Sequence, residues 1–154
     1  MKQESMKNYL LAVLFMLATL NASACKVPVF SLEQQVEKAE EIFIANLREA
    51  KVMPVDNHRK WPWIQGRFEV KKIIKGGVQS KEITLTTGLG RSDCGIGMTV
   101  SWNYIIFKGR KDTGIGDPSG THVIEDFQMD ELTEKIQSIM RQQKVSHGTN
   151  NSLK

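Results

Sequence analysis

The sequence predicts a mainly β domain carrying one helix before its first strand and one after its last. Three observations lead there. About five short runs are rich in β-branched and aromatic residues, with alternating or continuous apolar character. Helical spacing appears in only two places, 31–40 and from Asp130 onward. Between them the connections carry Gly and Pro clusters of the kind that turn a chain back on itself.

Ser31 is a capping residue with Gln34 three positions on, and Leu32, Val36 and Ala39 fall at helical spacing, which predicts a short amphipathic helix. Ile42-Phe43-Ile44-Ala45-Asn46-Leu47 has no helical stripe and predicts a strand to about Val52, buried on both faces. After the polar stretch 54–60, a second strand starts near Trp61. Its alternating Phe68, Val70, Lys72 and Ile74 mark one inward face, and Lys75-Gly76-Gly77 ends it. Ile83-Thr84-Leu85-Thr86 reads as a half-buried third strand. Gly88, Gly90, Gly95 and Gly97 flank Cys94 in a loop able to approach another segment closely. The run 100–107 predicts the most apolar strand, with Trp102 in the core, and 122–124 a short last strand after the turn 116–120. Asp130 reads as the cap of a helix whose Leu132, Ile136, Ile139 and Met140 form one stripe. Five antiparallel strands at this length suggest a five-stranded OB-type Greek-key barrel, closed or partly open.

The chain has 154 residues, 40% of them hydrophobic and 25% charged, enough for one compact domain. Residues 1–24 read as a secretory signal peptide: Lys2 and Lys7, an apolar stretch over 10–18, and Asn21-Ala22-Ser23-Ala24 as a small-x-small cleavage site. The apolar stretch is well short of the roughly 20 residues that span a bilayer, so no membrane span is expected in the mature chain. The expected organisation is 1–24 signal peptide, 25–145 the folded domain including the C-terminal helix, and 146–154 a disordered tail. The expected location is secreted or periplasmic.

Net charge is only +4, too mild for a basic stripe of the nucleic-acid-binding kind. Trp61, Trp63 and Trp102 with Arg67, Lys71, Lys72, Lys75, Lys81 and Arg91 invite such a reading on an OB barrel, but export argues against it. The bland reading places Trp61 and Trp63 over the mouth of the first hairpin and the cations on a solvated face. His58, His122 and His147 share no element at ligand spacing, so no resident metal is expected. The glycines around Cys94 match no phosphate loop or dinucleotide fingerprint. No cofactor and no enzymatic activity are expected.

Export places the only two cysteines, Cys25 and Cys94, where thiols pair. Their bridge would close a loop of about 70 residues and stabilise the fold by about 4 kcal/mol in the chain-entropy model. The competing fate for Cys25 is a lipid anchor. Ala22, three positions before the cysteine, is smaller than a lipoprotein signal usually has there, which favours the disulfide.

Taken together, Cys25 directly after the signal, Ala39-Glu40-Glu41-Ile42-Phe43-Ile44-Ala45, Phe68-Glu69-Val70 with Lys75-Gly76, Asp93-Cys94-Gly95 and Tyr104-Ile105-Ile106-Phe107 resemble the netrin-like domain family. The likeness is to its bacterial members similar to the N-terminal domain of tissue inhibitors of metalloproteinases, and it covers about residues 25 to 125. It implies an OB-type barrel with the N-terminal Cys bridged to the mid-chain loop. Val27 stands where the family commonly has a second Cys, and Pro118 where that residue's partner would be, so one bridge is absent as a pair.

The resemblance further implies an inhibitory wedge of Cys25, Lys26, Val27, Pro28 and Val29 beside Ser92 and Asp93. In it the Cys25 α-amine and carbonyl would ligate the zinc of a target metalloprotease, a protein partner. An α-amine with a pKa of about 7.7 to 8.0 is partly neutral near pH 7, as a zinc ligand must be. Lys26 opposes binding to an apolar specificity pocket, because burying an unpaired ammonium costs several kcal/mol. The alternatives are a segment that only staples the N-terminus to the barrel, and a non-inhibitory envelope interaction or scaffold domain. The C-terminal helix could also dock on a partner, though its stripe more simply covers its own barrel.

Overall fold

The computed structural model describes residues 30–57, 59–90 and 94–150, with side chains through Ser146. The expected signal peptide and Cys25, Lys26, Val27, Pro28, Val29, His58, Arg91, Ser92 and Asp93 lie outside the described residues.

Helix α1 spans Leu32–Lys38 and begins with a complete capping box: Gln34 N donates to Ser31 Oγ at 3.4 Å, and Ser31 N to Gln34 Oε1 at 3.0 Å. Seven residues are too few for an independent helix, so α1 depends on packing, through buried Val36. Five strands follow: β1 (Glu41–Met53), β2 (Trp63–Lys75), β3 (Glu82–Gly88), β4 (Asn103–Lys108) and β5 (His122–Ile124). They form one antiparallel sheet in the order β3-β2-β1-β4-β5. The chain then enters helix α2, Gln128–Asn150. Among the described residues no helix is long and apolar enough to cross a membrane.

Central β1 explains the architecture. Successive side chains of a strand face opposite ways, so Ile42 and Ile44 join one apolar cluster while Phe43, Ala45 and Leu47 join another. The first cluster lies under the helices, with Val36 of α1, Ile105 and Phe107 of β4, and Ile136 and Ile139 of α2. The second lies on the opposite face, with Phe68, Leu85, Ile96, Tyr104, Ile106 and Ile115. Phe68 and Tyr104 meet there edge to face at 5.6 Å. Three register shifts between β1 and β2 add the bends that curl the sheet. The sheet is not closed. Along the outer edge of β3, however, residues 113–115 bond to Thr86: Thr86 N donates to Thr113 O at 2.7 Å, and Ile115 N to Thr86 O at 2.8 Å.

Several expectations change. The fourth strand starts at Asn103, because residues 100 and 101 form a turn with Ser101 at φ 71. Trp102, expected in the core, is 51% exposed. Trp61 is 75% exposed, whereas Trp63 is half-buried with Arg59 stacked 4.2 Å above its ring. Asp130 does not cap α2, which starts two residues earlier; it lies in the first turn, where the helix dipole favours a carboxylate, and bonds Lys72 Nζ at 2.9 Å. The predicted stripe does face the core. The helix runs on to Asn150 through Gly148 and Thr149, both poor helix formers.

Candidate interaction site

The glycine-rich loop around Cys94 is held at several points. Cys94 itself adopts φ 56, a left-handed conformation unfavourable for a residue with a Cβ. Its carbonyl accepts a hydrogen bond from Asp117 N at 3.0 Å. Gly95 passes so close beneath Gly88 that an added Cβ would lie 2.4 Å from the Gly88 carbonyl oxygen. Beyond it, Ile96 enters the second apolar cluster while its N–H donates to Thr87 Oγ1 at 2.9 Å. Tyr104 Oη donates to Gly97 O at 3.1 Å and accepts from Thr99 N at 2.7 Å. The sequence expectation that these glycines permit close approach is met at Gly95, and for the stated steric reason.

Across from this loop lies the turn over 116–120, a short 3-10 segment, Asp117–Ser119, closed by Gly120 at φ 83. The turn is stitched to β4 by hydroxyls: Phe107 N donates to buried Thr121 Oγ1 at 3.1 Å, and Ser119 Oγ donates to the same oxygen at 2.9 Å. On its other side the turn meets the start of α1. Gln35 packs against Gly120 so tightly that a Cβ there would lie 2.3 Å from its side chain. Gln35 Nε2 in turn donates to Phe30 O at 3.1 Å. Phe30, stacked under Lys38 Nζ at 3.3 Å, borders a shallow depression of about 140 Å³ shared with Pro118 and Ser119. The first described residue and Cys94 therefore border the same turn.

Cys94 is the one cysteine among the described residues. The remaining wedge residues, Cys25 through Val29 with Ser92 and Asp93, lie outside the described residues, so Cys94 and its loop are the described part of the expected site.

The other expected features resolve into ordinary surface chemistry. Arg67 bridges Glu49 at 3.3 Å and Glu82 at 3.0 Å, and Lys71 bonds Glu69 at 2.9 Å. Those cations hold the Glu49 and Glu69 carboxyls below their ordinary range: hydrogen bonds from Lys51 for the first and from Lys71 for the second are the leading causes. Lys72 does the same to Asp130. Lys75 donates to Val36 O at 2.6 Å, and burial pushes its amine down against the opposing pull of Glu37 and Glu40. Among the described residues these cations alternate with acids and form no continuous cationic stripe. His122 Nδ1 lies 2.7 Å from Gly120 O. Among the described residues no group of three or more His, Cys, Asp and Glu side chains is arranged to hold a metal.

Sequence reasoning missed two polar features inside the fold. Glu41 and Lys108 form a buried ion pair, and Asn46 lies buried at the end of the apolar run of β1. The signal was present for the second: an amide among Ile42, Phe43, Ile44, Ala45 and Leu47 demands internal partners. In comparison with known proteins, no protein-family model and no curated protein matches the chain.

Proposed function

We propose that this chain is an exported, single-disulfide binding module of the netrin-like type, not a catalyst, and that it inhibits zinc endopeptidases through its N-terminus. In this reading the signal peptide is cleaved after Ala24 and Cys25 is bridged to Cys94. The α-amine and carbonyl of Cys25 then meet the target's zinc, with Lys26, Val27, Pro28 and Val29 on one side and Ser92 and Asp93 on the other.

One observation carries the reading: the Cys94 carbonyl and the Phe30–Gln35 entry to α1 both dock on the turn over 116–120. From Phe30 back to Cys25 five residues reach at most about 17 Å when extended, enough to return to that turn and tether there. The left-handed backbone at Cys94 and the glycine beside it support a loop shaped for a covalent neighbour. The bonding of residues 113–115 along β3 supports a partly open OB-type barrel whose rim this site would occupy.

A second reading, a non-inhibitory envelope interaction domain, draws support from Val52, Val55 and Trp61, all exposed at the tip of the β1–β2 hairpin. Intact mass of the exported protein separates the chemistry first. The bridged form weighs two hydrogens less than its reduced form; an acylated Cys25 is far heavier, and removes amine chelation. Titration against a panel of zinc endopeptidases comes next. Inhibition is expected for the native N-terminus and is abolished when one residue is added before Cys25. Inhibition that survives the extension, or none against any member of the panel, sinks the inhibitor reading and leaves the interaction domain.

A further inference from the structure

Between the end of the apolar run in β1, the turn before β4 and the exit from β5 lies a pocket of about 310 Å³, lined by Asn46, Trp102, Asn103, Glu125 and Asp126 among others. None of its residues belongs to the Cys94 loop or the N-terminal segment. Its hydrogen bonds run in one direction. The Asp126 carboxylate can only accept, so Asn103 turns its Nδ2 toward Asp126 Oδ1. That leaves Asn103 Oδ1 as an acceptor, filled by Asn46 Nδ2 at 2.8 Å, while the same nitrogen also donates to Ser101 O at 2.9 Å. Both amide orientations are therefore determined by their neighbours. Asn46, only 8% exposed, is left with an Oδ1 that has no donor among the described residues. A buried acceptor without a partner costs about 1–3 kcal/mol, so its persistence requires a reason.

The pocket is lined by Asn46 with its unpartnered oxygen, by Asp126 with its second carboxylate oxygen, by the Glu125 carboxylate and by the half-exposed Trp102 indole. We propose that this pocket binds a cationic nitrogen group, an alkylammonium or guanidinium such as a lysine or arginine side chain carries. The carboxylates would pair with the charge and the indole supply a cation–π face, while the Asn46–Asn103 chain holds Asp126 in place. An anion would be repelled by the Glu125 and Asp126 carboxylates. An uncharged apolar ligand would gain contact with Trp102, Val123 and Ile124 but would desolvate the two carboxylates without pairing them. Among the described residues no group of three or more His, Cys, Asp and Glu side chains is arranged here to hold a metal.

The test uses the purified, isotope-labelled full chain and follows the Trp102 indole N–H and the Asn46 and Asn103 side-chain amides by NMR. The probes are n-butylammonium, n-butylguanidinium, a Gly/Ser pentapeptide with one central Arg, and n-butanol as the neutral control. Saturable shifts are expected with the cations and none with butanol. Trp102→Leu and Glu125→Gln, neither of which removes a described hydrogen bond, should each weaken binding, and the double variant by about tenfold or more. Asp126→Asn should do the same with the rest of the amide spectrum unchanged. Tighter binding of the peptide than of the free cations identifies a protein-borne side chain as the source, and equal or weaker binding identifies a small organic cation. No saturation with any cation, an equal response to butanol, or full binding by the double variant overturns the proposal.

Discussion

Lys108 places its ammonium 2.7 Å from the Glu41 carboxylate across the β1–β4 pair, and both side chains are buried. The two are direct partners in the strand register. Lys108 Nζ also donates to the carbonyls of Gly109 at 2.8 Å and Arg110 at 3.3 Å, so the ammonium is satisfied on several sides. A buried pair of this kind adds little net stability, because desolvation offsets attraction, yet loss of either partner strands a charge. Lys108→Met or Glu41→Leu alone should cost about 3–5 kcal/mol in urea denaturation, and the double variant should recover most of that loss. If the single losses simply add in the double variant, the pair is not coupled as the geometry implies.

The loop at Cys94 offers a paired steric test. Gly95→Ala puts a methyl 2.4 Å from the Gly88 carbonyl oxygen, a backbone atom that can yield only by moving β3. Gly97→Ala meets nothing within 4 Å. The first should destabilise by about 1–3 kcal/mol and the second by no more than about 0.5 kcal/mol, read as a difference in unfolding midpoint. Equal effects would show that glycine at both positions serves only backbone entropy.

Glu49, Glu69 and Asp130 all titrate below their ordinary range because cations bond them in the fold. A carboxyl with a depressed folded pKa contributes stability that is present above its unfolded pKa and is lost as pH falls through its folded value. The melting temperature should therefore begin to fall below about pH 4.5 and keep falling beneath it. The decline should be shallower in high salt, which screens exposed pairs, and in Arg67→Gln, which removes a partner of Glu49. Lys75 acts oppositely in sign of charge: its amine is depressed by burial, so its contribution grows as pH climbs through its folded pKa toward the ordinary lysine value. A melting temperature flat from pH 5 to pH 3 would contradict the acid limb.

The elements written in local pattern were legible from residues alone. Ser31 with Gln34 marked the start of α1, the unbroken run Ile42 to Leu47 marked a strand buried on both faces, and the spacing of Leu132, Ile136 and Ile139 marked the buried side of α2. The features that escaped depend on partners far away in sequence. Glu41 and Lys108 are separated by 67 positions, and Asn46 and Asn103 by 57, so neither residue's neighbours foretell its burial. Trp102 was misplaced for a related reason. Its apolar side chain suits a core strand, but Ser101 N donates to Leu47 O and Leu47 N to Trp102 O, tying a turn to β1 just before the strand proper begins. Of the expected wedge, only the Cys94 side is described, and its legibility came from the glycines, whose steric role needs no distant partner.

Helix α2 separates burial from surface charge within one element. Ile136 is fully buried in the cluster with Val36, Ile44 and Phe107, whereas Asp130 holds Lys72 from a side chain almost wholly in solvent. Ile136→Ala deletes apolar contacts where α1, α2 and the sheet meet, and should cost about 2–5 kcal/mol, with the higher figure if the cavity stays open. Asp130→Asn should lower the unfolding midpoint at neutral pH only slightly, far less than Ile136→Ala, because an exposed pair is worth little against screening and side-chain entropy. Hydrogen exchange adds a spatial readout. Ile136→Ala should speed exchange in α1 as well as α2, since α1 is too short to hold itself and leans on the same cluster. Unchanged protection of α1 beside a destabilised α2 would mean that the short helix is held by its capping box and the Phe30–Gln35 contact rather than by the shared core.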